Sequence, residues 1–321
     1  MTLFPKLARL AIFCALAVSV AYPVGTQPAQ IPDWCKFLPR PEYKSLERVA
    51  SPDPWFEVYK VADNTFALYE PHQFEEVISY LIVGRETAIL FDTGMGIGDI
   101  RKLVSELTPI PVIVLNSHTH NDHVGGNWQF DTIYALDSDF THQNAKGSSA
   151  DAQNELASGQ ICGELPKGFD PKTYRTKSWT IAKYVQDGDV LDLGGREIQI
   201  IATPGHTPDS ICLLDRAAGL LFTGDTYYPA PIWLYRPETD LAAYESSVLR
   251  LELQASRVKL VLGAHNIPVA PPSVLSKLAV AAAELQGLRT RGKGKGHCKP
   301  ADPGQKTCKI GDFTFLLRAT P

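Results

Sequence analysis

Three of the chain's eight histidines fall within six positions, in the run Asn116-Ser-His118-Thr-His120-Asn-Asp122-His123-Val-Gly-Gly-Asn127. No other feature restricts the fold as much. A short apolar strand at 111–115 feeds this run, and a Gly-Gly turn leaves it. On an extended backbone, residues two apart point the same way, so His118 and His120 can present their rings to one ion. Asp122 and His123 come after the chain turns and can face a second ion beside the first. Imidazole nitrogen and carboxylate oxygen are the donors that zinc accepts, and sites that keep an open position are the catalytic kind.

The same chemistry recurs where later apolar runs end. His206 sits in Thr203-Pro-Gly-His-Thr-Pro208, Asp225 in Phe222-Thr-Gly-Asp-Thr226, and His265 in Leu262-Gly-Ala-His-Asn266. Each has a glycine nearby that lets backbone approach closely. Any one of them alone reads as an ordinary hydrogen-bonded residue beside a strand. Seven ligand-type residues at four strand exits read as a metal centre.

The rest of the chain suits such a rim. Apolar residues make up 44% and charged residues 21%, which excludes a disordered, collagen-like or coiled-coil chain. A formal charge of −4 argues against nucleic-acid binding by bulk electrostatics. Strand-like runs stand at 55–61, 65–69, 77–83 and 87–91, followed by a helical pattern at 97–107. Further strands are expected at 132–136, 181–185, 190–193 and 197–201, with a hairpin at 211–214 and 220–223. A helix at 241–253, a strand at 259–262 and an Ala-rich helix at 272–288 close the second half, and 313–317 can add an edge strand. The irregular stretch 147–180 reads as a surface insertion, and the basic, Gly-rich 289–299 as a solvated turn or a patch for anionic partners. Strands, helix, strands, helices fit two sheets packed face to face with helices outside. Periodicity alone does not choose that layout over other α/β folds.

The first residues read as an export signal. Lys6 and Arg9 precede an apolar run from Leu10 to Ala21 that ends in Ser19-Val20-Ala21, a small-x-small cleavage pattern. The run falls short of the ~20 residues that span a bilayer, so no stable membrane span is expected. Cleavage would remove Cys14 of the six cysteines and leave an odd number. Cys212, inside the apolar Ser210-Ile-Cys-Leu-Leu214, reads as the unpaired thiol. Cys298 and Cys308 can close a small loop; nothing in the sequence shows whether Cys35 and Cys162 meet. No Cys-x-x-Cys pair is present.

The His-x-His-x-Asp-His run with its later Gly-His, Gly-Asp and Ala-His elements resembles the metallo-β-lactamase fold superfamily, over roughly residues 55–288. The resemblance implies an α/β (α+β) architecture, an αββα sandwich of two mixed β-sheets with helices on the outer faces. Signal peptide 1–21, lead-in 22–54 and hydrolase domain 55–321 are the expected divisions. It also implies a dinuclear site, usually two Zn2+. By that likeness His118, His120 and His206 hold one ion; Asp122, His123 and His265 hold the other; Asp225 bridges them. Asp92, in Leu90-Phe-Asp-Thr-Gly94, matches the family's early aspartate that orients the site from behind.

Two divalent ions side by side bring a shared water toward neutral pKa, and the hydroxide attacks an electrophilic carbon or phosphorus. Asp122 is expected to steer it and to pass a proton to the departing atom. Tyr227 or Tyr228 is a candidate phenol at the attacked carbonyl, a role implied by related lactone hydrolases. The aromatic stretch 227–235 reads equally as a substrate wall or as core packing. The connection 70–76, with His72 and Phe74, should lie at the rim. Asp225 counts against a dedicated third-subclass β-lactamase, and the Gly-Ala-His-Asn ending counts against a glyoxalase II-like thioesterase. The expectation is a secreted or periplasmic dizinc hydrolase of an ester-like or amide-like acyl bond in a small, apolar or cyclic molecule. Lactones and β-lactams lead; thioesters, phosphodiesters and a mononuclear iron persulfide dioxygenase are the alternatives.

Overall fold

A computed structural model of the chain describes residues 31–148, 150–291 and 296–319. The export segment lies outside the described residues, as do positions 292–295 of the basic turn. The strands of the first half are β1 (Glu47–Val49), β2 (Glu57–Ala62), β3 (Thr65–Tyr69), β4 (Ile78–Val83) and β5 (Ala88–Phe91). Helix α1 (Ile100–Leu107) leads to β6 (Val112–Leu115), the short helix α2 (Asn121–Val124) to β7 (Ile133–Leu136). Two small helices, α3 (Asp139–Asn144) and α4 (Ala150–Asn154), precede β8 (Lys183–Val185). These eight strands form one sheet in sequence order, antiparallel from β1 to β5 and parallel from β5 to β8.

The second half begins with β9 (Val190–Asp192), β10 (Glu197–Ala202), β11 (Ile211–Asp215), β12 (Leu220–Gly224) and β13 (Ile232–Leu234). Then come α5 (Leu241–Glu252), β14 (Leu260–Gly263), α6 (Ser273–Arg291), β15 (His297–Pro300), β16 (Gln305–Ile310) and β17 (Phe313–Arg318). A second sheet runs β14-β12-β11-β10-β9, with β12 and β14 parallel.

Side-chain alternation explains why the sheets stack. In β10 and β11, Ile198, Ile200, Ile211 and Leu213 point to the core between the sheets, where they meet Tyr80, Ile82, Ile89 and Phe91. The intervening Ile201, Cys212 and Leu214 face outward onto Tyr244, Val248 and Leu278 of α5 and α6. On the other side, Leu81, Leu90 and Val114 pack under Ile100, Leu103 and Val104 of α1. Strands apolar on both faces read as unbroken runs, which is why these were visible in the sequence. The result is the expected four-layer αββα arrangement.

Three features differ from the sequence reading. A third, four-stranded sheet, β13-β17-β16-β15, lies beside α6, so 313–317 is an inner strand of its own sheet rather than an added edge. The expected division at residue 54 is not a boundary: residues from 31 onward belong to the same unit as the hydrolase domain, β1 pairs with β2, and Tyr43 is buried against Tyr59 and Tyr69. The stretch 147–180 is more than a surface insertion. It buries Ala152, Tyr174 and Trp179, and Tyr174 donates its hydroxyl to the Met95 carbonyl at 2.6 Å.

At the end of the sandwich away from the histidines, Arg196 joins the two sheets. Its guanidinium bonds Asp215 of β11 at 2.7 Å, and also the carbonyls of Asn64 and Val83 and the hydroxyl of Thr65. Asp215 is fully buried. Removing one partner of a buried pair leaves the other charge uncompensated, at about 3–5 kcal/mol. Arg196→Ala is therefore expected to lower the urea unfolding free energy by about that amount; an unchanged midpoint would show that the clamp carries no stability.

Candidate metal centre

The seven predicted donors come from the strand exits on one rim, and the structure brings all seven together. His118 and His120 follow β6, Asp122 and His123 lie at the start of α2, His206 follows β10, Asp225 follows β12 and His265 follows β14. Two glycines make the close approach possible. Gly205, at φ 145°, would carry a Cβ 2.3 Å from the Tyr244 backbone, and Gly224, at φ 50°, one 2.5 Å from Ser117 Cβ. Any side chain there would push His206 or Asp225 off the rim.

Each imidazole is held by its outer nitrogen. His123 Nδ1 lies 2.9 Å from Asp92 Oδ2, His206 Nδ1 lies 2.8 Å from the Trp233 carbonyl, and His265 Nδ1 lies 2.7 Å from the Glu75 carbonyl. His118 Nδ1 is 3.0 Å from Ser117 Oγ, and His120 Nε2 is 2.8 Å from Glu238 Oε1. Asp92 adopts φ 69°, uncommon for a residue with a side chain, and its other oxygen accepts the Ser117 amide at 2.6 Å. The His265 turn is fixed from beneath. Buried Glu76 accepts from Arg40, from the Tyr69 hydroxyl and from Asn266 Nδ2 at 2.9 Å.

Where the outer nitrogen of a neutral ring donates to a carbonyl or carboxylate, the inner nitrogen carries the lone pair, and the inner nitrogens face one another. His120 Nδ1 is 3.0 Å from His118 Nε2 and 3.1 Å from His206 Nε2. Donors around a tetrahedral ion at about 2.05 Å stand about 3.3 Å apart, close to this spacing. On the other side, His123 Nε2 lies 3.0 Å from Asp122 Oδ2, and His265 Nε2 lies 3.6 Å from it. Asp225 stands between the groups, with Oδ1 3.1 Å from His265 Nε2 and Oδ2 3.5 Å from His206 Nε2. His123 Nε2 and Asp225 Oδ1 are buried without a hydrogen-bond partner. Such orphaned donor atoms are costly unless a cation satisfies them, so the residues fit two adjacent metal ions.

Without a cation, the carboxylates and rings compensate one another. Burial would raise the Asp225 carboxyl, but His265 and His123 hold it at about 2, so it stays ionised. Burial pushes His206 down to about 4, whereas Asp225 overcomes burial and lifts His265 to about 9. Among the described residues Cys212 is the free thiol; it faces Thr203 and Thr226 on the helix side of its strand, and burial raises it to about 11. It is placed neither as donor nor as nucleophile. Cys35–Cys162 and Cys298–Cys308 are bonded.

A cavity of about 30 Å³ opens in front of the donors, walled by Glu75, Glu155, Tyr228, Trp233 and Arg236. It shares His120, Asn121 and Arg236 with an adjoining cleft of about 270 Å³ that runs past Phe140 and Glu238. A larger hollow, of about 790 Å³, lies around Trp128 and Lys177 and contains none of the donors. Tyr228 reaches the cavity with its ring 4.8 Å from that of His265, but its hydroxyl is engaged by the Pro231 carbonyl and the Trp233 amide. Tyr227 packs against Phe313 in the outer core and does not line the cavity. The phenol role expected for this pair thus finds Tyr227 turned away and the Tyr228 hydroxyl occupied. In the 70–76 connection, Phe74 rests against Trp34 and His72 against Trp55, and Glu75 is the residue that enters the cavity wall. Glu75 belongs to the 70–76 connection expected at the rim, whereas Glu155, Arg236 and Glu238 had no signal in the sequence, because each is brought in by a loop distant from the histidine run.

Comparison with known proteins agrees with this geometry. A model described as the metallo-beta-lactamase superfamily matches residues 74–265. Human acyl-coenzyme A thioesterase MBLAC2 is 27% identical over 200 residues, covering 58% of this chain and 71% of that protein. Hydroxyacylglutathione hydrolase of Maricaulis maris is 30% identical over 115 residues, covering 36% and 33%. Among solved structures, a metallo-beta-lactamase family protein of Thermus thermophilus superposes with a TM-score of 0.54 at 20% identity, over 71% of this chain and 83% of that one. The chain belongs to the metallo-β-lactamase superfamily and is a metal-dependent hydrolase.

Proposed function

We propose that this protein is an exported dizinc hydrolase of acyl bonds in small molecules. The observation that carries the reading is the pair of donor groups, three histidines on one side and Asp122, His123 and His265 on the other, with Asp225 facing both. Two zinc ions in such a site would supply hydroxide near neutral pH and polarise the attacked carbonyl. Asp122, at the cavity floor, orients the attacking water and takes up its proton as the carbon–oxygen bond forms. The bond to the leaving atom then breaks, and that atom accepts the proton from Asp122. Tyr228 and Trp233 offer an apolar wall for the acyl group, and Arg236 stands at the opening to the adjoining cleft.

A thioester is the acyl substrate to test first, because one of the relatives named above is called an acyl-coenzyme A thioesterase. A lactone or β-lactam ring is the second reading, favoured by the aromatic wall. Phosphodiesters fit poorly: around the cavity Glu75, Glu155 and Glu238 outnumber the single Arg236. A mononuclear iron oxygenase would leave the second donor group unused. Export is supported by the two disulfides, which persist in an oxidising compartment, secreted or periplasmic.

The test is metal analysis of the purified chain followed by parallel assays on a thioester, a lactone, a cephalosporin and a phosphodiester. Two zinc ions per chain and cleavage of acyl substrates alone are expected; bound iron with oxygen uptake, or cleavage of the phosphodiester alone, overturns the proposal. His120→Ala is expected to abolish hydrolysis and lower bound metal, and a fully active variant would refute the site. Cys212→Ser should leave turnover intact and cost about 1–2 kcal/mol in denaturant; loss of metal in that variant would show that the thiol had been misread.

A further inference from the structure

Four of the five imidazoles turn Nδ1 outward and Nε2 inward. His120 is reversed: its Nδ1 meets His118 and His206, and its Nε2 is held by Glu238. Its partner, like that of His123, is a side-chain carboxylate. His206 and His265 are anchored by main-chain carbonyls and His123 by the buried Asp92 directly behind it, whereas Glu238 reaches His120 from a turn 118 residues further along the chain.

We propose that Glu238 is the positioning residue that sets the tautomer and orientation of His120, and so completes the three-histidine half of the metal centre. A neutral imidazole carries one N–H, and an ionised carboxylate only accepts. The contact at 2.8 Å therefore places the proton on Nε2 and leaves the Nδ1 lone pair facing the other two rings. Nothing else in the described surroundings of this ring supplies that choice. Its remaining ring neighbours are His118 and His206 themselves and the edge of Phe140, 5.9 Å away.

The turn that delivers Glu238 is itself tied to the third donor. The Thr239 hydroxyl donates to the His206 carbonyl at 3.1 Å, and the Asp240 amide to the Gly205 carbonyl at 2.8 Å. One turn thus fixes His120 through a side chain and His206 through its backbone, so the two rings keep their spacing together. Glu238 also walls the cleft that adjoins the metal cavity, and a substrate lying there touches the group that holds His120.

The inference rests on reading His118, His120 and His206 as donors to one ion, and the experiment separates the two. Cobalt(II) is titrated into the metal-free full chain and followed by its visible d–d absorption and by calorimetry, for the wild type, Glu238→Ala and Glu238→Gln. In the alanine variant one of two ions is expected to bind about 10–100-fold more weakly, with an altered d–d band, while the other keeps its affinity. The glutamine variant, whose amide oxygen still accepts from Nε2–H, is expected to recover most of the loss. Wild-type affinity and spectrum in a folded alanine variant would overturn the role of Glu238, as would equal weakening of both ions in the glutamine and alanine variants. A wild type that takes up no cobalt would instead overturn the metal reading, and this inference with it.

Discussion

The centre is built on a repulsion. Five imidazoles, each with its outer nitrogen bonded away, are forced to aim their remaining lone pairs and two carboxylates into one small volume. Among protein atoms alone this arrangement is only partly satisfied, as the orphaned His123 Nε2 and Asp225 Oδ1 show. Cations reverse the sign. The cost of assembling the donors is borne by the sandwich, whose two sheets are fixed to each other by the apolar layer between them and by Arg196 at the far end. Because the frame does not yield, the donors stay near the spacing an ion requires.

That division of labour places chemistry and stability at opposite ends of the strands. The exits of β6, β10, β12 and β14 carry donors, and the entries carry turns and the Arg196 clamp. The network beneath His265 follows the same logic, with Arg40, Tyr69 and Asn266 converging on buried Glu76. Arg40 comes from the segment ahead of β1, so the beginning of the described chain is tied to the last of the donors.

The sequence made the frame and the donors legible because both are local patterns. Runs such as Ile198–Ala202 and Ile211–Leu214 are apolar on both faces, and only a doubly covered strand needs that. His118 and His120 stand two apart on extended chain, and His206, Asp225 and His265 each follow such a run next to a glycine. What could not be read depends on distant pairs. Glu238 looks like any loop carboxylate until the fold carries it to His120. The third sheet rests on short strands whose pairing, β13 with β17, spans most of the second half. The stretch 147–180 has a loop's composition, yet Glu155 stands in the cavity wall and Tyr174 under the Asp92 loop, placements that only tertiary contacts create.

The walls of the cavity and its metal donors come from different parts of the chain. The donors sit on strand exits held by the two sheets, whereas Glu155 comes from the stretch linking β7 to β8, and Trp233 and Arg236 from the one linking β12 to α5. A change of composition around Glu155 would reshape the entrance while the ion-binding geometry stayed as it is, whereas the β12–α5 stretch also carries the Trp233 carbonyl and Glu238 that hold His206 and His120. Substrate preference in this chain can therefore drift independently of its reactivity, and two descendants of it could attack unlike molecules with the same water.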